Sequence, residues 1–302
     1  MSRGPLASSW RPMPSVWGRH EQHVISFAGS AVAVAWEEAR GRRIAEFLFE
    51  RVPTCADAAP CETFHIRWLP HAQKLALYRG DVLIHLGDSE GYLAELLMGE
   101  VCRRIVANSS GGMLFHAAGL ARQGLGILLP GAMETGKSTL AAWLTTQGLD
   151  YMTDELVFIP QGADEMQPFI RPLNLRRSSR VALPEGYWAT LEPQLWASVE
   201  SDLLPPDVLN PTGRWAAPRL HVIVFPRYVP ASAPSVRRLS SAETTLALLQ
   251  RMVNAGSLPG HGVPEAARIA RQTPAYEARY AHLDQLVASL DVWMGESEAN
   301  LS

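Results

Sequence analysis

The stretch Gly131-Ala132-Met133-Glu134-Thr135-Gly136-Lys137-Ser138-Thr139 constrains this chain more than any other, because it fits G-x-x-x-x-G-K-[ST] and stands between an apolar run, 126–130, and a helix-like stretch, 138–147. Strand, glycine-rich turn and helix in that order make a phosphate-binding loop. Backbone N–H groups of the turn point inward, the helix N-terminus adds its dipole, Lys137 reaches the β and γ phosphates, and Ser138 can hold Mg²⁺. The expected nucleotide-binding residues are Gly131, Glu134, Thr135, Gly136, Lys137, Ser138 and Thr139, with ATP and Mg²⁺ as ligands.

Composition narrows the partners. A chain of 302 residues with 47% hydrophobic residues has the length of about two domains and can bury a sizeable core. Its net charge of −3 offers no field for nucleic acid or an anionic membrane. No apolar stretch approaches the roughly 20 residues of a membrane helix, and the start, Met1-Ser2-Arg3-Gly4-Pro5, lacks a signal-peptide hydrophobic region, so a cytoplasmic protein is expected. Cys55, Cys61 and Cys102 are too few and too irregularly spaced for a disulfide framework or a zinc site and read as reduced and structural.

Residues 1–20 mix Arg, Pro, Ser and Trp without a period and read as a disordered leader. From 21 to 108 the pattern predicts a small α+β domain: strands over 24–27, 31–36, 65–69, 75–78 and 82–86, a helix over 43–51, and a longer helix over 90–108 whose apolar positions include Leu93, Leu97, Val101 and Ile105. The second domain, 109–295, carries the loop. Residues 113–122 and 125–129 flank Gln123-Gly124, which predicts an antiparallel hairpin. A two-residue turn there sets Arg122 opposite Leu125, and counting outward sets His116 opposite Gly131 at the mouth of the loop. A helix ending near Gly148, strands over 149–153 and 156–159, a Pro-rich loop or lid over 201–218, a buried strand over 220–225 and a helix over 242–252 capped by Ser240 or Ser241 complete the reading.

In an ordinary phosphate-loop enzyme the Mg²⁺-associated acid ends a strand well downstream of the loop. Here the strand over 220–225 ends in Pro226-Arg227, whereas Asp154-Glu155 follows the loop by one helix and one strand. Two adjacent carboxylates beside a Mg-triphosphate can divide two tasks, one orienting or deprotonating an attacking hydroxyl and the other helping to hold the metal.

Phe115-His116-Ala117-Ala118, the phosphate loop, and Leu149-Asp150-Tyr151-Met152-Thr153-Asp154-Glu155, in that order and spacing, resemble the catalytic domain of HPr kinase/phosphorylase and its shorter bacterial relatives. The resemblance implies an α/β fold, a P-loop kinase domain of the HPr kinase/PEP carboxykinase type preceded by the small α+β domain. It implies a serine kinase with His116 assisting, Lys137 and Ser138 on nucleotide and metal, and Asp154 and Glu155 as base and metal ligand, with the choice of base left open. Glu155 is counted with Ser138 as a metal ligand. The family carries two consecutive aspartates where this chain has Asp154-Glu155, and 171–180 is basic where the family has a glycine-rich segment. Related kinases phosphorylate a precursor-peptide serine in lasso-peptide pathways, so the expected partner is a protein or peptide carrying a Ser. HPr kinases are hexamers, and a homo-oligomer stays open here.

Arg171, Asn174, Arg176 and Arg227 are the candidate substrate contacts, since Arg171, Arg176, Arg177 and Arg180 form a basic run around Asn174 and Arg227, ending the strand over 220–225, could reach a phosphoryl oxygen. Two other readings remain at this stage: a nucleotide-binding regulatory or scaffold protein with slow hydrolysis that moves the 201–218 segment, and a small-molecule kinase.

Overall fold

The computed structural model describes residues 21–55, 57–131, 136–210 and 212–295. The expected leader and loop residues 132–135, among them the nucleotide-binding candidates Glu134 and Thr135, lie outside them. The first sheet is built from β1 (Glu21–Phe27), β2 (Ser30–Trp36), β3 (Thr63–Leu69), β4 (Lys74–Arg79) and β5 (Val82–Gly87), five strands hydrogen-bonded in chain order. Between β2 and β3, which are parallel, runs α1 (Ala39–Phe49). It begins ahead of the expected helix because its first turn, Ala39-Arg40-Gly41-Arg42, carries no apolar period; Gly41 is there because a Cβ would come within 2.8 Å of the Trp36 Cβ.

After β5 comes α2 (Glu90–Asn108), where the apolar period placed it. Ser89 caps it by accepting the Tyr92 N–H at 3.1 Å, and Leu93, Leu97, Val101 and Ile105 line its buried face. That face joins a core that also contains Leu114, Leu156 and Phe158 from strands of the second sheet, so the two sheets share apolar packing.

The second sheet holds the phosphate loop. Along the chain come β6 (Gly112–Arg122), β7 (Leu125–Pro130), α3 (Lys137–Thr146), β8 (Asp150–Thr153), β9 (Leu156–Pro160) and the short β10 (Gln167–Pro168). Then follow β11 (Leu173–Arg176), α4 (Glu185–Leu191), β12 (Trp196–Ala197), β13 (Ser201–Leu204), α5 (Pro206–Leu209), β14 (Arg219–Tyr228), β15 (Ser235–Arg238), α6 (Ser241–Leu249), α7 (Val263–Gln272), β16 (Ala275–Tyr280) and α8 (Val287–Trp293). The eight-stranded sheet runs β10-β9-β6-β7-β14-β16-β15 with β8 also on β6, and β11-β13-β12 make a separate three-stranded sheet. The protein is a mixed α/β structure with several sheets.

β7, β14 and β16 pair in parallel at the centre and are covered on both faces, which is why 125–130 and 220–225 read as continuous apolar runs. On one face Leu120, Ile127, Leu129, Val222 and Val224 meet Leu140, Ala141 and Leu144 of α3. On the other, Phe115, Ala117, Leu128, Ile223 and Phe225 meet Leu248 of α6 and Ala266 and Ile269 of α7. The β6–β7 turn has φ +54° at Gln123 and +82° at Gly124, the left-handed pair that a two-residue hairpin requires, and Arg122 pairs with Leu125 as counted.

One expectation is overturned. The segment from Ser201 is not a loop or lid at its start: β13 is the central strand of the small sheet and all its residues are buried. Asp202, fully buried, is held by the guanidinium of Arg180 at 2.6 Å, and α5 follows directly. No helix among the described residues is long and apolar enough to cross a membrane.

Candidate functional site

The site gathers at the ends of β6 and β7, where the backbone turns into α3. β6–β7 pairing runs to Ala117 opposite Pro130, and one step further Gly131 donates its N–H to the His116 carbonyl at 3.5 Å, so the counted register delivers His116 to the loop. Gly136 precedes α3 with φ +83°, a left-handed turn that lets the helix begin at Lys137. Thr139 lies one residue beyond Ser138 in the same first turn, half-buried.

Lys137 is buried and donates from Nζ to the Gly131 carbonyl at 2.9 Å. Burial pulls its pKa down to about 8, only partly offset by the negative charges of Glu155 and Asp154. A cation desolvated in this way is stabilised by an anion placed against it.

The acidic pair sits beside it with the two carboxylates differently committed. Asp154 is 2% exposed; its Oδ2 accepts from Ser138 Oγ at 2.7 Å and its Oδ1 from the Tyr151 hydroxyl at 3.1 Å. Glu155 is more open, and its Oε1 lies 3.4 Å from His116 Nδ1, which is also 3.1 Å from the Glu155 carbonyl. Ser138, in the first turn of α3, therefore meets Asp154 at the end of β8, while Glu155 turns toward His116 on β6.

Arg171 organises both acids. Its Nη2 stands 2.9 Å from Asp154 Oδ1 and 2.7 Å from Glu155 Oε2, and its Nη1 lies 2.7 Å from the Met98 sulfur on α2. Burial opposes its charge, but the two carboxylates outweigh that and hold its pKa above the usual arginine value. Burial likewise tends to raise the Glu155 pKa, yet Arg171, then His116 and Lys137, bring it down to about 2. Tyr151 is pushed well above the phenol range, first by burial and then by the Asp154 charge, so it stays a hydrogen-bond donor.

Of the four candidate substrate residues, the structure brings only Arg227 to the loop end as an exposed cation, at the C-terminal end of β14. Arg171 is buried, with its guanidinium on Asp154 and Glu155. Asn174 donates from Nδ2 to Glu95 of α2 at 2.9 Å. Arg176 is exposed on β11, opposite Ser201 in the small sheet. Sequence reasoning missed Tyr151, although its position three residues before Asp154 was visible, and missed Arg251. The latter lies just beyond α6 with its guanidinium 5.1 Å from the Phe225 ring centroid, and its charge lowers the Lys137 pKa further.

The comparisons with known proteins add little. No family model matches the chain, and no curated protein does. Among solved structures the chain is similar to the Hpr(Ser) kinase/phosphatase from Coxiella burnetii, at 12% identity and a TM-score of 0.32, over 61% of this chain and 99% of that one.

Proposed function

We propose that this chain is a Mg-ATP-dependent kinase that transfers the γ-phosphoryl group to a Ser hydroxyl of a protein or peptide. The observation that carries the reading is the Ser138 Oγ to Asp154 Oδ2 contact of 2.7 Å, set at the start of α3 beside buried Lys137 and next to the Glu155–His116 pair. Those two oxygens are hard donors on the loop side of the site. Mg²⁺ is ordinarily held by one or two protein oxygens, with phosphate oxygens and water completing its shell. Among the described residues no group of three or more His, Cys, Asp or Glu could hold a metal, and this mode of binding requires none. When bound, Mg²⁺ neutralises charge developing on the phosphates; Ser138 and Asp154 are the residues to hold it.

Lys137 exchanges the Gly131 carbonyl for β- and γ-phosphate oxygens. The acceptor serine oxygen forms a bond to the γ phosphorus, the bond from that phosphorus to the β–γ bridging oxygen breaks, and ADP leaves with the electron pair. Glu155, the more exposed acid, orients the serine hydroxyl and takes its proton late, while His116 holds the carboxylate in place. A carboxylate with a pKa near 2 is a weak base, which suits a loose phosphoryl-transfer transition state in which positioning matters more than early deprotonation. This assigns Asp154 to the metal and Glu155 to the acceptor.

The test incubates the protein with γ-labelled ATP, Mg²⁺ and a library of serine-containing peptides, and locates the label by mass spectrometry. Label on serine is expected, reduced by about 10²- to 10⁴-fold in Glu155→Gln. Release of inorganic phosphate alone contradicts the kinase reading and supports a nucleotide-hydrolysing regulator.

A further inference from the structure

The group with the least explained position near the loop is Arg251. The residues after it zip along β6: Met252 bridges Phe115, Val253 donates to the Leu114 carbonyl at 2.8 Å, and Asn254 accepts from Leu114 N–H at 2.9 Å. Arg251 is thus anchored beside the strand that carries His116. Its guanidinium lies over Phe225, two residues beyond Ile223, which pairs with Leu128, itself two residues before Pro130 and the loop.

The side chain is poorly satisfied there. Nη1 donates to the Ala247 carbonyl of α6 at 3.1 Å and to the neighbouring Gln250 Oε1 at 3.3 Å, while Nε is buried without a partner. Among the described residues no carboxylate oxygen comes within 4.0 Å of it. Burial lowers its pKa, with Glu277 the only acid acting against this. Arg227, exposed on β14, and Arg279, its register partner on β16, add further positive charge at the same strand ends, and Arg279 Nε is also buried without a partner.

Lys137 opens α3, which packs on one face of the sheet, and Arg251 lies over Phe225 on the α6 face. Two partly desolvated cations on opposite faces of the sheet at the same strand ends cost free energy until an anion lies between them. Resting on the nucleotide-binding reading above, we propose that Arg251 contacts the terminal phosphoryl group of the bound nucleotide from the side opposite Lys137. A guanidinium offers two parallel N–H donors to phosphate oxygens, and Nε is among the donors left unmatched. The γ-phosphoryl group is the part of the nucleotide that separates a triphosphate from a diphosphate, so Arg251 sets the preference between them.

Calorimetry with Mg-ADP and with a non-hydrolysable Mg-ATP analogue tests this on the full chain, as wild type, Arg251→Met and Arg251→Lys. Wild type is expected to prefer the triphosphate analogue. Arg251→Met is expected to lose that preference by about tenfold or more while its Mg-ADP affinity stays within about twofold, the pattern of a lost charge-assisted contact to one phosphoryl group. Arg251→Lys, which keeps the charge but not the fork, is expected to fall between. An unchanged preference in Arg251→Met, an equal loss for both nucleotides, or a wild type without preference overturns the proposal and leaves nucleotide binding standing. A wild type that binds neither nucleotide overturns the nucleotide reading itself.

Discussion

Arg171 carries more of the site than any other side chain, since it is buried between two carboxylates that would otherwise face each other unpaired. Arg171→Met should lower the unfolding free energy at neutral pH by about 3–5 kcal/mol, the cost of leaving buried charge without its partner, measured by chemical denaturation. The pH dependence follows from Glu155, whose folded pKa is depressed to about 2 from 4.5. Its contribution is present above the unfolded value and is lost as pH falls through the folded one, so the gap between wild type and variant should narrow as pH falls from 4.5 toward 2. A gap that is constant with pH would contradict the ion-pair account. Lys137 titrates in the opposite range. With a pKa near 8 in the free protein, and a higher one once phosphates face it, nucleotide binding must take up a proton above that pH. Affinity should be flat below it and fall above it by up to about tenfold per pH unit, read by calorimetry in buffers of different ionisation enthalpy. Affinity independent of pH up to about 10, near the unperturbed lysine pKa, would show that Lys137 does not meet the phosphates. Lys137, Ser138, Asp154, Glu155 and His116 were legible because loop spacing and hairpin register are local. Arg171 was not: a run of arginines reads as a solvated face, and its burial depends on Met98, 73 residues away.

At the scale of elements, the β6–β7 hairpin was readable to the residue because Gln123-Gly124 fixes a two-residue turn and the side-chain period of two leaves no freedom of register. The cap of α6 was legible only as Ser240 or Ser241; the structure chooses Ser240, which forms a capping box with Glu243. β13 was missed since Ser201-Asp202-Leu203-Leu204 is short, begins with two polar residues and runs into Pro205-Pro206; its order comes from β11, β12 and the arginines on Asp202. The clamp between α6 and β6 could not be read either, because Asn254 acts across 140 residues, accepting from Leu114 N–H at 2.9 Å and donating to the Gly112 carbonyl at 3.0 Å. Asn254→Ala strands two backbone groups in a buried setting and should cost about 1–3 kcal/mol in denaturant unfolding. A loss below about 0.5 kcal/mol, the scale of a neutral surface change, would mean that the clamp is dispensable.

At the scale of the whole molecule, α2 couples the parts. Its buried face packs with residues of the first sheet and with Leu114, Leu156 and Phe158 of the second, and its Met98 touches Arg171. The site therefore rests on both sheets, although the boundary expected near 108 falls at the end of α2. The central claim is that the loop from Gly131 into α3 binds a Mg-nucleoside triphosphate. Titration of a non-hydrolysable Mg-ATP analogue into wild type and Lys137→Ala measures it directly. Saturable binding to wild type, weakened by about tenfold to a hundredfold or abolished in Lys137→Ala, is the predicted result, because the lysine supplies the charge-assisted contacts to the phosphates. Equal affinity in the two proteins, or no binding to wild type, would contradict it.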